Sequence, residues 1–244
     1  MGQYERLQTS TSAYPDQGHT ISYTPSSTQQ LEVHKVSAYN ATAAENSIGI
    51  FHSVATPDFK LWKLLAAADA EFTSTIQAGT AVSIFNTTNN DGCLFQSKEK
   101  FNMISFNVSQ IQTGSPVYTY KYYNGSGWAT LTLLNTPAYT ATGIQVIVFN
   151  APVDWVVGDS TEDTDSTLFS IQVISTTAPS QAVQIDSLKI GKMLAYNSSV
   201  LPSASLEVDF DEESYLLQVG ESIIPFFSYT NASNRLEIAY KISP

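Results

Sequence analysis

The chain has 244 residues, only 14% of them charged, and a formal net charge of −11. At this length roughly 70–75% of the surface exposed by the unfolded chain is buried on folding, so neither a disulfide nor a metal is required, and one large domain or two small ones fit. No Lys/Arg run occurs anywhere, which argues against the counterion-displacing grip that holds a nucleic-acid backbone and against adhesion to an anionic membrane.

Residues 1–30 show almost no apolar periodicity, with Tyr4, Tyr14 and Tyr23 scattered among Ser, Thr and Gln. Such a segment cannot offset its ordering entropy by itself. It is expected to form an extended arm ordered on a neighbouring chain, the alternative being an arm packed along its own domain. From 31 to 54 two alternating runs (Leu31, Val33, Val36, Ala38, then Ile48, Ile50, His52) predict two antiparallel strands joined by a polar loop. Thr56-Pro57-Asp58 has the form of a helix start. The stretch from Phe59 onward can be drawn as a short helix or as a strand with Phe59, Leu61, Lys63 and Leu65 on one face, and the surrounding β context favours the strand.

Between 75 and 106 short strands recur around Ile76, Ala81-Val-Ser-Ile-Phe85, Cys93-Leu-Phe95 and Met103 to Val108, with a turn at Asn89-Asn-Asp-Gly92. Short strands at this spacing predict a sandwich or jelly roll. Residues 118–152 then alternate around aromatic and β-branched positions, break at Asn124-Gly125 and resume at Trp128, which is the pattern of a β-hairpin. An acidic loop at 158–166 precedes strands at 168–174 and 183–190. The C-terminal part reads as strands at 204–210, 215–219 and 222–229, ending in a hairpin through 231–234 into 236–242. No fixed-period repeat is evident, which disfavours a solenoid or propeller. Aromatic-rich, β-branched composition agrees with an all-β class.

The residue types that carry chemistry are sparse. Cys93 stands alone, so there is no internal disulfide and nothing implies an oxidising compartment. His19, His34 and His52 lack a zinc spacing, although His34 and His52 could meet across adjacent strands. Asn124-Gly-Ser-Gly-Trp128 is not a nucleophile elbow, and Ser126 reads as a turn residue. The oxygen-rich stretches 159–165 and 209–213 read as solvated turns, with Ca²⁺ as the competing role. No pair of carboxylates is singled out for glycoside hydrolysis. Trp62, Trp128 and Trp155 offer a sugar-stacking platform in principle, yet strand aromatics are more often core. The sequons at Asn40, Asn86, Asn107, Asn124, Asn197 and Asn231 are what an Asn-, Ser- and Thr-rich chain produces by chance. The start has no basic or apolar leader, no apolar run approaches the ~20 residues of a membrane span, and Arg6 stands where a myristoylation signal needs Ser or Thr. The expectation is a non-enzymatic protein without catalytic, cofactor-binding or metal-ligating residues.

One set of motifs goes further. Asp91-Gly92, Lys100-Phe-Asn-Met-Ile-Ser-Phe106, Tyr120-Lys-Tyr-Tyr-Asn-Gly-Ser-Gly-Trp-Ala-Thr-Leu131, Phe149-Asn-Ala-Pro-Val-Asp-Trp155 and Phe169 to Pro179 together resemble a β-sandwich module of tailed-bacteriophage virion structural proteins. The likeness covers about residues 85–195, and Ser170 and Gln172 stand where such modules often carry Arg. A second likeness joins the flanks: Val36-Ser-Ala-Tyr-Asn-Ala-Thr42 with Ser47 to His52, and Leu217 to Pro225 with Leu236 to Ile242, look like the two ends of one small sandwich in phage accessory proteins. The resemblance implies two β-sandwich or jelly-roll-like domains behind the arm of residues 1–30. A split outer domain (31–84 and 196–244) then carries an inserted central module (85–195), with tandem domains as the alternative. It implies a capsid decoration or cement protein acting in the virion, assembled in the host cytoplasm. The partners it implies are the major capsid protein or other virion proteins, and further copies of itself, a trimer among them, with neither nucleic acid nor membrane. A tail, baseplate or fibre component and a carbohydrate-binding receptor-recognition protein are the other functions considered.

Overall fold

The computed structural model describes residues 5–10, 21–22, 30–53, 59–65, 69–158, 166–210, 215–217, 221–227 and 234–243. Among these the protein is all-β, with one short helix. In chain order the strands are β1 (Glu5–Ser10), β2 (Ile21–Ser22), β3 (Gln30–Tyr39), β4 (Asn46–Ser53), β5 (Phe59–Leu64) and β6 (Ala70–Glu71), followed by helix α1 (Thr73–Gln77). Then come β7 (Val82–Phe85), β8 (Gly92–Ser97), β9 (Met103–Gln110), β10 (Val117–Tyr123), β11 (Trp128–Thr130), β12 (Leu133–Asn135) and β13 (Gly143–Phe149). The chain ends with β14 (Phe169–Thr177), β15 (Val183–Val200), β16 (Ser205–Asp209), β17 (Tyr215–Leu217), β18 (Ser222–Phe227) and β19 (Arg235–Ser243).

Two compact units emerge, one built from Met1–Ala55 with Gly191–Pro244 and the other from Thr56–Ile190. The passages between them therefore fall at 55/56 and 190/191, not at 84/85 and 195/196 as the sequence suggested. Hydrogen bonding is the reason: β5 pairs along β8 from Phe59↔Ser97 to Leu64↔Gly92, and β7 pairs with the first residues of β15, so residues 59–85 go with the central unit.

In the outer unit, one sheet has the order β1-β19-β3-β16, with β17 continuing beyond β16 along β3. The second runs from the latter half of β15 through β4 and β18 to β2. Val33, Val36 and Ala38 of one sheet and Ile48, Ile50, Ile223 and Phe227 of the other fill the space between them and are almost fully buried. The two runs at 31–54 thus do not pair with each other, as the alternation had suggested. They face each other across the core, and Asn40 holds the connection. Its Nδ2 donates to the carbonyls of Ala44 (3.0 Å), Val200 (2.8 Å) and Leu201 (3.1 Å), and its Oδ1 accepts from Thr42 N (3.0 Å) and Thr42 Oγ1 (2.7 Å). β18 and β19 likewise belong to different sheets rather than to one hairpin. Pro225 lies on β18 opposite Ile50 of β4.

The described parts of segment 1–30 pair within their own chain, which is the alternative to the expected arm on a neighbouring chain. Residues 5–10 add to β19 as an edge strand, from Glu5↔Tyr240 to Ser10↔Arg235, and residues 21–22 pair with β18 of the same chain. The remainder of that segment, the helix-start motif at 56–58 and the acidic stretches 159–165 and 211–213 lie outside the described residues.

In the central unit a sheet of order β11-β10-β14-β8-β5-β6 faces the strands β12, β13, β9 and β15, with β7 also on β15. The period-2 alternation of each strand turns Phe95, Tyr120, Ile171 and Val173 toward Phe106, Ile147, Phe149 and Ile185, giving one continuous core. β5 is a strand, as its context favoured, whereas Ile76 lies on α1 and not on a strand. Gly92 admits the closest approach in this sheet: a Cβ there would stand 2.1 Å from the Val173 carbonyl oxygen.

Candidate functional site

The hairpin of residues 117–130 and the loop after β13 meet at one end of the central unit. Asn124 shapes the turn, its Oδ1 accepting from the N–H groups of Ser126 (3.0 Å) and Gly127 (3.1 Å), while Gly125 takes the left-handed φ of 89° that the bend requires. This side-chain-built turn is the hairpin that the Asn-Gly signal predicts, and Tyr123 and Trp128 pair across it. Their rings meet edge to face at 5.9 Å.

The neighbouring loop hangs on Trp155. Its ring is 1% exposed, packs edge to face against Phe101, Phe149 and Phe169, and its Nε1 donates to the Ser170 carbonyl at 3.2 Å. The loop is bent back on the hairpin and on the start of β14. Val156 N donates to the Tyr123 carbonyl at 3.1 Å and Gly158 N to the Leu168 carbonyl at 2.9 Å. With Trp155 plunged into the core, its neighbours are forced outward: Val153 is 99% exposed and Val156 and Val157 remain well exposed. Asp154 is held at the rim by the Tyr122 hydroxyl at 2.9 Å. Three solvent-facing valines thus lie within five residues of each other, with Val156 against Tyr123 and the hairpin turn.

Two polar arrangements lie in the outer unit. His52, on β4, has Nδ1 2.6 Å from the Tyr215 hydroxyl and Nε2 3.1 Å from Glu221 Oε2. The three tie β4, β17 and the start of β18 together, and the edge-to-face contact of His52 with Tyr215 and the stacking of Phe210 on Tyr215 wall the chain in. On the outward face of the other sheet, register places Glu207 and Glu237 on either side of Ser37, two strand spacings or about 9.6 Å apart. They border a shallow depression of about 290 Å³ with Lys35 and Ala239. Glu207 is engaged by Lys35 Nζ at 2.8 Å, and both side chains are largely solvated, so this pair of carboxylates lies on an open sheet face.

No family model matches this chain, and no curated protein does. Its possibilities are therefore weighed on its own geometry. Among the described residues no group of three or more His, Cys, Asp or Glu is disposed to hold a metal ion, and no helix is long and apolar enough to cross a membrane. His34 and His52 lie in different sheets and do not meet, and His19 is outside the described residues. Trp62, Trp128 and Trp155 do not form a stacking platform in register: Trp155 is core, and Trp62 and Trp128 sit on β5 and β11, at different positions of a six-stranded sheet. The Asn40 sequon is 0% exposed, so its amide is closed to a glycosyl donor in the folded protein. Cys93 is fully buried, and burial pushes its thiol well above the ordinary range.

Sequence reasoning missed the Tyr215–His52–Glu221 chain because His52, on β4, lies 163 residues from Tyr215, on β17, and Glu221 stands just before β18. It also gave no role to Val153 and Val156, whose exposure follows only from the burial of Trp155. A period-2 reading puts Val153, Trp155 and Val157 on one face and would bury all three, so no local signal marks the valines as exposed.

Proposed function

We propose that the protein is a structural component of a tailed-phage virion, a decoration or cement protein that binds the assembled head. The observation that carries this reading is the apolar end of the central unit, Val153, Val156 and Val157 beside Tyr123 and Trp128. It lies on the same hairpin and loop whose motifs resemble the virion module. Burying these side chains against a shell protein removes apolar surface from water only when the shell is assembled, and a ligand that binds only the assembled state shifts the equilibrium toward it. Repetition over a symmetric shell multiplies such contacts into avidity.

The edge strand β1 supports the same reading. It is held by a ladder along β19 and is the outermost strand of its sheet among the described residues. The ladder that accepts residues 5–10 of the same chain accepts them equally well from a neighbouring copy, which would convert a fold contact into a clasp between copies.

The test is a particle lacking the protein, together with one carrying the triple substitution V153D/V156D/V157D. A head component predicts that null particles assemble but lose their genome at lower temperature or lower salt, that the substituted protein folds yet fails to load, and that copy number runs to hundreds per particle. Intact heads with missing tails, or a few copies per particle, would overturn the reading in favour of a tail component. Glycan binding by the isolated protein, lost on W128A, would overturn it in favour of receptor recognition.

A further inference from the structure

A lysine on the core-facing side of a strand needs a chemical reason. Lys63 occupies that position on β5, in line with the buried Phe59 and Leu61 and paired in register with the buried Cys93. Its Nζ donates to Asn86 Oδ1 at 2.7 Å, and Asn86 Nδ2 donates to Asp91 Oδ2 at 2.9 Å. The Asp91 side of this chain is closed to water, the residue being 4% exposed, and the Phe72 ring lies 6.0 Å from Nζ on the Lys63 side.

Asp91 is held firmly. Ser175 N donates to its carbonyl at 2.9 Å, Asn90 N donates to the Ser175 carbonyl at 2.8 Å, and Asn89 Oδ1 accepts from Ala178 N at 2.7 Å. The turn of residues 86–91 is thereby fastened to β14, with Asn90 in the left-handed region at φ 67°. Three groups are thus brought into one row by two segments, β5 and the β7–β8 connection: an amine, a carboxamide and a carboxylate placed at the nitrogen of that carboxamide.

We propose that Lys63 and Asn86 join autocatalytically in an intramolecular isopeptide bond, with Asp91 as the proton carrier. Lys63 gives a proton to Asp91 and becomes a neutral amine. Its lone pair attacks Asn86 Cγ, which is bonded to the Oδ1 that Nζ already touches and so lies within about 3.9 Å of it. The tetrahedral adduct collapses as the Asp91 carboxylic acid returns the proton to Nδ2, its existing hydrogen-bond partner. The regenerated Asp91 carboxylate takes the second proton from Nζ as the Cγ–Nδ2 bond breaks and passes it to the departing ammonia. The neutral Nζ–Cγ amide remains, the freed nitrogen leaves as ammonium and Asp91 ends as the carboxylate it began as. One amide nitrogen is exchanged for another, so no oxidant, reductant or co-reactant enters.

The surroundings favour each step. Burial lowers the Lys63 pKa, against the opposing pull of the Asp91 charge, and so raises the fraction of neutral amine. Fixing nucleophile and electrophile in contact supplies the effective concentration that an uncatalysed amide exchange lacks. The row joins β5 to the β7–β8 connection, just before the strand β8 with which β5 pairs.

Tryptic mapping of the denatured full-length protein tests this directly. With a free Lys63, cleavage after Lys60, Lys63 and Lys98 gives fragments 61–63 and 64–98. With the bond in place, trypsin cannot cut at Lys63, and a single fragment 61–98 appears, lighter than its sequence by one ammonia. N86A and D91N should both restore cleavage after Lys63 and the unaltered mass. Fragments 61–63 and 64–98 at sequence mass from the wild-type protein, or fragment 61–98 at full mass, overturn the proposal. The wild-type digest decides even where a variant fails to fold, and ammonia-deficient 61–98 from a folded D91N protein would overturn the role given to Asp91.

Discussion

Replacing Asn40 by Ala should unhinge the outer unit. The amide is 0% exposed and makes five bonds of 3.1 Å or less, three as donor to the carbonyls of Ala44, Val200 and Leu201 and two as acceptor from Thr42. Its two N–H protons serve three carbonyls, so the donor side counts as about two net bonds worth about 1 kcal/mol each, and stranding the buried Val200 carbonyl adds about 1–3 kcal/mol. The expected loss is about 3–5 kcal/mol. Asn40→Asp is the decisive control, because it keeps the shape but sets a carboxylate against the same three carbonyls. It should destabilise at neutral pH at least as much as Ala. Urea unfolding followed by far-UV circular dichroism measures both. Trp62, Trp128 and Trp155 all lie within Thr56–Ile190, so tryptophan fluorescence reports the other unit and should move less. A loss below about 1 kcal/mol for Ala, or a harmless Asp, would show that the connection between the two sheets does not depend on this amide.

Stability should also fall in alkali. Burial pushes the Tyr120 hydroxyl up to about 12, the bond from Tyr139 offsetting part of this, and burial raises Tyr118 and Tyr139 as well. An unfolded tyrosine ionises near 10, so above that pH the unfolded state sheds protons the folded state retains. The tyrosines' contribution is therefore intact below pH ~10 and declines toward pH ~12 by about 1.4 kcal/mol per pH unit for each such group. The buried Cys93 thiol adds a decline that starts nearer pH ~9, and a urea midpoint unchanged between pH 9 and 11 would contradict this. The Lys63–Asn86 bond should have a thermal signature of its own. It closes a loop across a sequence separation of 23, which on the chain-entropy argument for cross-links stabilises by about 3 kcal/mol. Calorimetry of D91N should then show the melting of its unit lowered by roughly 10 °C, and a shift under about 3 °C would argue that no cross-link was lost.

Sequence and structure divide the description of this protein along a physical line. The all-β class was legible because alternation with period 2 and aromatic, β-branched composition are local properties of the chain. The Asn124-Gly125 hairpin was legible for the same reason, since its turn is built by its own residues. Partnership was not. The runs at 31–54 have the alternation of a hairpin, yet they face each other from opposite sheets, because the pattern states which side of a strand is buried and not which strand buries it. Lys63 looked like one more residue on an alternating face, and Asn86 and Asp91 like parts of a polar turn. Only the pairing of β5 with β8 brings them within bonding distance. Val153 and Val156 likewise became exposed only once Trp155 had claimed the core. Periodicity and turn chemistry are carried by neighbours in the chain and can be read from it. Strand partnership and the approach of distant polar groups arise from burying many faces at once, and only the tertiary structure decides them.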